Sequence, residues 1–143
     1  MNEARQDEAL ETGHSDETTE GIRIRVSAQY LPERSAPERR QYLFVYRVQI
    51  ENVGTAWAKL LSRRWVITDG NGEVNVVEGP GVVGETPELS PGDRHEYMSG
   101  CPLPTHWGTM EGHYVMERED GSTFEARVGR FFLAKNTELA PSS

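Results

Sequence analysis

Two segments of the chain place an apolar residue at every second position. The even-numbered residues of 22–30 and of 42–50 are all apolar. A period of two residues is typical of a β-strand with one buried face. We therefore predict strands over Ile22–Tyr30 and Tyr42–Ile50, separated by an exposed proline-rich loop over Leu31–Arg40.

A third strand is predicted over Lys59–Thr68, with Leu61, Trp65 and Ile67 on its buried side. The residues Asp69–Gly72 that follow contain the Asn and Gly that tolerate the positive φ angles of a tight hairpin. We expect the chain to return as a strand over Glu73–Val77.

The C-terminal half repeats this pattern. A strand near Arg94–Ser99 is followed by a long connection over Gly100–Glu111, rich in glycine and proline. A second hairpin is predicted around Asp120-Gly121, between strands at Gly112–Glu119 and Ser122–Leu133. The apolar residues expected inside it are Tyr114, Met116, Phe124, Ala126, Val128 and Phe132.

About seven short strands without an amphipathic helix predict the fold class. They indicate an all-β protein, an antiparallel immunoglobulin-like β-sandwich. We expect its two layers to close around Tyr46, Trp65 and Phe124.

Charge divides the 143-residue chain into unequal parts. Residues 1–20 carry seven acidic residues and one arginine, so they hold most of the net charge of −8. A segment so polar cannot bury enough apolar surface to offset its ordering entropy. We predict a disordered acidic tail at 1–20, one sandwich domain at 21–136 and a flexible C-terminus at 137–143.

Composition also argues against several classes of partner. The domain body is nearly neutral and has no basic stripe of the kind that binds nucleic acid. No apolar run approaches the roughly 20 residues that cross a bilayer, and no secretory segment is apparent at the N-terminus. We expect a cytoplasmic protein with no nucleic-acid or membrane partner.

Four segments resemble the ApaG family in order and spacing. They are Leu60–Asp69, Gly79–Pro87, Tyr97–Gly100 and Gly108–Tyr114, and the similarity extends from about Ile22 to Lys135. The resemblance implies a fibronectin type III-like fold and a recognition module. It also implies an indirect link to cobalt and magnesium resistance. The sequence departs from the family pattern at His95 and at Thr105-His106.

The segment Gly79–Gly84 satisfies the pattern G-x-G-x-x-G. In dinucleotide-binding proteins these glycines let the backbone approach a pyrophosphate at a helix N-terminus. Here Pro87 and Pro91 interrupt the following residues, so the helix is missing. Two interpretations stay open: a loop shaped by glycine at a sheet edge, and a nucleotide or pyrophosphate site. The second would use Gly79, Gly81, Val82, Val83 and Gly84 with Arg63 or Arg64.

Metal binding and catalysis find less support in the sequence. The histidines His95, His106 and His113 do not have a zinc-binding spacing, and Asp69–Glu73 is better explained by a hairpin than by a calcium loop. The single cysteine, Cys101, has no neighbouring base that would activate it. We therefore expect no cofactor, no metal and no enzymatic activity.

Protein binding is better motivated. Leu43 and Val45 fall on the strand face opposite Phe44 and Tyr46, which leaves an apolar patch on the nominally polar side of the sheet. Such a patch is either covered by a loop or available to an unidentified protein partner. Trp107 lies in a loop-like context and is a third candidate contact. Formation of a homodimer through an exposed edge strand is left open.

Overall fold

The computed structural model describes residues 13–135, which form nine strands. Residues 1–12 and 136–143 lie outside the described part, so most of the predicted tail and the predicted flexible C-terminus are untested. The strands are β1 (His14–Thr19), β2 (Ile22–Tyr30), β3 (Tyr42–Asn52), β4 (Ala58–Asp69), β5 (Val74–Pro80), β6 (Glu88–Leu89), β7 (Arg94–Leu103), β8 (Trp107–Glu117) and β9 (Thr123–Ala134).

The strands form two antiparallel sheets packed face to face. The first sheet has the order β1-β2-β3-β7, and the second has the order β5-β4-β8-β9 with the short β6 paired to β4. This confirms the predicted all-β antiparallel sandwich. The two strands beyond the predicted seven are β1 and β6.

The inner faces of the two sheets meet in an aromatic core. Tyr46 from the first sheet packs edge-on against Trp65 of the second at 5.4 Å, and Trp65 in turn meets the rings of Tyr114 and Phe131. Tyr46 and Trp65 are buried as predicted, whereas Phe124 is partly exposed and packs against the edge of the core.

Two bulges change which residues face the core. The pairing of β4 with β8 shifts register between Leu60 and Ser62. Leu60 is therefore fully buried, and the prediction that Leu61 points inward with Trp65 is wrong. A second shift, between Met110 and Gly112, lies in the pairing of β8 with β9.

The shift between β8 and β9 also corrects a prediction on β9. Phe131 is fully buried, whereas Phe132, which the alternation placed inside, is only partly buried. An extra residue in one strand reverses the facing of every residue beyond it. A strict alternation read from the sequence is therefore right only up to the bulge.

The strand β1 lies within the predicted acidic tail, so the prediction of disorder is wrong for His14–Thr19. Its side chains are polar, and it pairs antiparallel with β2 along its full length. Asp16 forms an ion pair with Arg23 at 2.6 Å, and Glu17 forms one with Arg127 of β9 at 3.4 Å. Hydrogen bonds and charge pairs thus replace the apolar face that the sequence lacks here.

The predicted connection over Gly100–Glu111 is much shorter in the structure. β7 continues to Leu103 and β8 begins at Trp107, so only residues 104–106 join them. Pro102 is compatible with β7 because, among residues 13–135, this strand pairs only with β3, and a proline at a sheet edge need not break a hydrogen bond of the ladder.

Asn52, at the end of β3, is a buried polar residue that joins the loop between β3 and β4 to β6. Its side-chain amide donates to the carbonyl oxygens of Ala56 at 2.8 Å and Leu89 at 2.9 Å. Its side-chain oxygen accepts from the amide of Gly54 at 3.0 Å. The buried side chain thus replaces its hydrogen bonds to water with three hydrogen bonds inside the protein.

Candidate functional site

The outer face of the first sheet is divided into a charged half and an apolar half. Three ion pairs cross the charged half: Arg23 with Asp16, Arg25 with Glu51, and Arg47 with Glu96. Beyond Arg47 the outward residues of β3 and β7 carry no charge. The division follows from the sequence, because the odd positions of β3 change from leucine and valine to arginine, glutamine and glutamate along the strand.

The apolar half is a contiguous surface formed by Leu43, Val45, Met98, Gly100 and Pro102, which we call the β3–β7 patch. Leu43 lies opposite Pro102, and Val45 lies opposite Gly100. Leu43 and Val45 are half-buried, whereas the side chain of Met98 is 51% exposed. The predicted pair of residues thus lies on the outer face, together with a methionine that the sequence analysis did not single out.

A hollow of about 490 Å³ lies next to this patch. Val45 and Met98 form its apolar side, and His14, Ser27, Gln29 and Arg47 form its polar side. A Cβ at Gly100 would meet its nearest neighbours at 3.6 Å, an ordinary contact distance, so Gly100 leaves space between the larger side chains. An apolar surface with a polar rim is the usual composition of a protein interface.

Trp107 is less available than the sequence indicated. Its ring stacks on Phe132 at 6.3 Å, and its side chain is 38% exposed. The indole also covers Gly70, where a Cβ would come within 2.7 Å of its Nε1. The tryptophan therefore helps to hold the β4–β5 hairpin, and it lies apart from the β3–β7 patch on the outer side of the second sheet.

The glycine-rich segment forms the end of β5 and a tight turn. Gly79 lies within β5, and Val83 and Gly84 form the turn with φ angles of 48° and 79°. Val82 and Glu85 exchange backbone hydrogen bonds across this turn, and the amide of Gly81 donates to the carbonyl of Leu61. The amides of Gly81 and Val82, which the predicted phosphate site would use, thus already donate to carbonyls inside the protein. Instead of a helix, the two-residue strand β6 follows.

The two arginines beside this segment point to opposite faces of β4. Arg63 lies on the inner side and donates to the carbonyl oxygens of Pro80 at 3.0 Å and Gly81 at 2.8 Å. Arg64 lies on the outer side and pairs with Glu78 at 3.0 Å. These bonds support the interpretation of the loop as an element of structure, and no contact in the described residues favours a phosphate site.

A second concave feature, an open cleft of about 560 Å³, separates β5 from β7 along one side of the sandwich. Tyr46, Trp65 and Cys101 are among the residues that line it. The indole Nε1 of Trp65 is buried and has no hydrogen-bond partner among residues 13–135. The sequence does not predict this cleft, because the cleft depends on the distance between the edge strands β5 and β7 in the folded protein.

Burial controls the chemistry of the groups around the cleft. Desolvation raises the pKa of the Cys101 thiol to about 12, which removes the thiolate that a nucleophile requires. Desolvation also raises the pKa of Tyr46, Tyr97 and Tyr114, and the positive charge of Arg63 opposes this rise. The hydroxyls of Tyr97 and Tyr114 are 2.5 Å apart and hydrogen-bonded to each other. These groups are fixed in their neutral forms.

The histidines are dispersed over the surface. His113 lies 3.6 Å from Glu125, His106 packs near Tyr42, and His95 lies beside Tyr97. Within residues 13–135, no three His, Cys, Asp or Glu side chains are grouped as metal ligands would be. The same residues contain no helix with the length and apolarity needed to cross a membrane.

Comparison with known proteins gives a consistent result. A family model described as the ApaG domain matches residues 32–118. Among curated proteins, the protein ApaG of Dechloromonas aromatica is 48% identical over 125 residues, which cover 87% of this chain and 98% of that protein. The protein ApaG of Thiobacillus denitrificans is 52% identical over 113 residues, which cover 79% of this chain and 89% of that protein.

Solved structures agree with this match. A crystal structure of an ApaA protein from Bordetella pertussis superposes with a TM-score of 0.77 at 45% identity, covering 86% of this chain and 96% of that one. A second X-ray structure, of a structural genomics target, superposes with a TM-score of 0.75 at 42% identity, covering 80% of this chain and 86% of that one.

Proposed function

Since the chain belongs to the ApaG domain family, we propose that it acts as a non-catalytic recognition domain that binds a partner protein through the β3–β7 patch. The observation that carries this proposal is the segregation of charge on the outer face of the first sheet. Ion pairs cover one half, while Leu43, Val45 and Met98 leave the other half apolar and uncharged.

The hollow beside the patch supports the same function. A partner side chain that enters it would meet the apolar surface of Val45 and Met98 and could hydrogen-bond to the polar rim. Flexible methionines suit such a surface because they adapt their shape to a bound side chain. The link to cobalt and magnesium resistance stays a prediction. On this proposal, the domain would affect metal resistance indirectly, through the protein that it binds.

Introduction of a negative charge into β3 tests the proposal. A carboxylate introduced by Leu43→Asp or Val45→Asp would lose its water when a partner covers it, which we expect to weaken binding at least about tenfold. Gln49→Asp is the matched control, because Gln49 lies on the same face of β3 but in the charged half.

The measurement is affinity capture from a lysate with each variant as bait, followed by quantitative mass spectrometry. Proteins bound through the patch should be lost from the Leu43 and Val45 variants and kept by the Gln49 variant. Equal recovery of all partners on all four baits would show that the patch plays no part. Circular dichroism spectra of the baits confirm that each variant is folded.

A further inference from the structure

The strand β5 is an edge strand without the usual protection against pairing. Within the described residues it pairs only with β4, and six of its seven residues are exposed. The exposed side chains include Val74 at 61%, Val76 at 44% and Val77 at 37%. Natural edge strands commonly carry lysine, proline or a bulge that blocks a further strand. Here the single proline, Pro80, lies at the very end of the strand.

The backbone of β5 offers regularly spaced hydrogen-bonding groups at this edge. The amide of Asp69 donates to the carbonyl of Glu73, and the amide of Gly81 donates to the carbonyl of Leu61. These bonds lie at the two ends of the β4–β5 ladder. Between them, hydrogen-bonded residue pairs alternate with pairs that are not hydrogen-bonded. Odd-numbered residues of β5 therefore bond to β4. The backbone groups of Val74, Val76 and Glu78 point away from it.

An arginine extends across the strand toward the same edge. Arg63 and Gly79 are opposite each other on the inner face, and a Cβ at Gly79 would lie 3.1 Å from the Nη2 atom of Arg63. The absence of a side chain at Gly79 thus lets the guanidinium lie over β5. Its Nη1 donates to two backbone carbonyls, and no carboxylate of residues 13–135 is within ion-pair distance of Arg63.

The acidic group that would complete this arrangement immediately precedes β5. Glu73 is six residues before Gly79 and faces the same side of the strand, where it lines the mouth of the cleft. Consider the β5 strand of a second copy, paired antiparallel with this β5 so that the two Val76 residues are opposite each other. In this register, Glu73 of each copy lies opposite Gly79 of the other. A shift of the register by two residues in either direction would put an asparagine, Asn71 or Asn75, opposite Gly79 instead.

We propose that two copies of this chain form a symmetric dimer by antiparallel pairing of their β5 strands. The outward backbone groups of Val76 pair with those of the second copy's Val76, and Val74 pairs with the second copy's Glu78. In each of the two equivalent ends, Glu73 forms an ion pair with the second copy's Arg63. A twofold contact of this kind uses one self-complementary surface, and the exposed valines become buried within it.

Exchange of charges between copies tests this dimer. Arg63→Glu places two carboxylates together at both ends, and Glu73→Arg places two guanidinium groups together, so each variant alone should be monomeric. In an equimolar mixture, one end of a mixed dimer keeps the native pair of Glu73 and Arg63, and the other end joins the introduced arginine to the introduced glutamate. We expect each variant alone to raise the dimer dissociation constant at least about tenfold and the mixture to restore it to within about threefold.

Sedimentation velocity over a range of micromolar concentrations is the measurement. Val76→Pro should abolish the dimer, because it removes an outward-pointing donor without removing a bond to β4, and Val76→Thr should keep it. Arg130→Glu is the matched charge control, since Arg130 is exposed on β9 at the opposite edge of the same sheet, and this change should leave the dimer intact. Circular dichroism checks that every variant is folded.

Three outcomes would overturn the proposal. They are a wild-type chain that stays monomeric at every concentration, a Val76→Pro variant that dimerises like wild type, and a mixture of the two charge variants that stays monomeric. None of these depends on the β3–β7 patch.

Discussion

The buried side chain of Asn52 allows a quantitative test of the fold. It is 1% exposed and makes three hydrogen bonds, of which the bond to Leu89 is fully buried. Each bond contributes about 1 kcal/mol, and a buried carbonyl left without a donor loses more. Asn52→Ala should therefore lower the free energy of unfolding by about 3 kcal/mol. This variant reports the loss of the hydrogen bonds without introducing a charge.

Asn52→Asp has nearly the same shape and gives a different result. The introduced carboxylate still accepts from Gly54, but it faces two carbonyl oxygens to which the native amide donates at 2.8 and 2.9 Å. Folding therefore favours the protonated form and raises the pKa of the introduced group above its unfolded value of about 3.9. Holding it protonated at pH 7 would cost up to about 4 kcal/mol, at 1.36 kcal/mol for each pKa unit.

The sign of the pH dependence follows from the same shift. Above the unfolded pKa the folded variant binds more protons than the unfolded chain, so its stability falls as pH rises from about 4 toward about 7. Urea unfolding followed by circular dichroism at these two pH values measures it, relative to wild type. Asn71→Asp, in the exposed β4–β5 hairpin, is the control and should change stability by less than about 0.5 kcal/mol. A loss below about 1 kcal/mol for Asn52→Ala, or no pH dependence for Asn52→Asp, would refute the reasoning.

Three further predictions concern packing and buried groups. Gly112→Ala should cost about 3 kcal/mol in urea unfolding, because its Cβ would lie 1.9 Å from a carbonyl oxygen of β4, whereas Gly100→Ala should be nearly neutral. Cys101, with its pKa raised to about 12, should react with a thiol reagent near pH 8 only as fast as the protein opens; rapid labelling would contradict this. Because burial raises the pKa of Tyr97 and Tyr114, the unfolding free energy should fall as pH rises above about 10.

The sequence predicted strands wherever apolar side chains repeat with a period of two. Ile22–Tyr30 is reproduced without change, because every even-numbered residue of that strand is buried or packs against the core. The alternation failed where two large apolar residues are adjacent, as at Leu60-Leu61 and Phe131-Phe132. There a bulge decides which one is buried, and a bulge depends on the partner strand.

The candidate surfaces were predictable to different degrees. Leu43 and Val45 could be placed on the outer face from parity alone. Met98 could not be connected with them, because it joins the patch only through the register of β7 on β3. That Arg63 lies opposite Gly79 could likewise not be predicted, because it depends on the register of β4 on β5. No pattern of apolar residues predicts β1, which is held by backbone hydrogen bonds to β2 and by ion pairs with Arg23 and with the distant Arg127.

The position of β1 limits how copies of this chain can associate. Its charged side chains and the bond from the Arg127 amide to the hydroxyl of Thr19 bring it against β9, so the side of the sandwich opposite β5 does not present a bare apolar ladder. A molecule with unprotected strands on both sides could add copies without end and grow into a filament. With β1 in place, strand pairing at β5 would stop once two copies have joined.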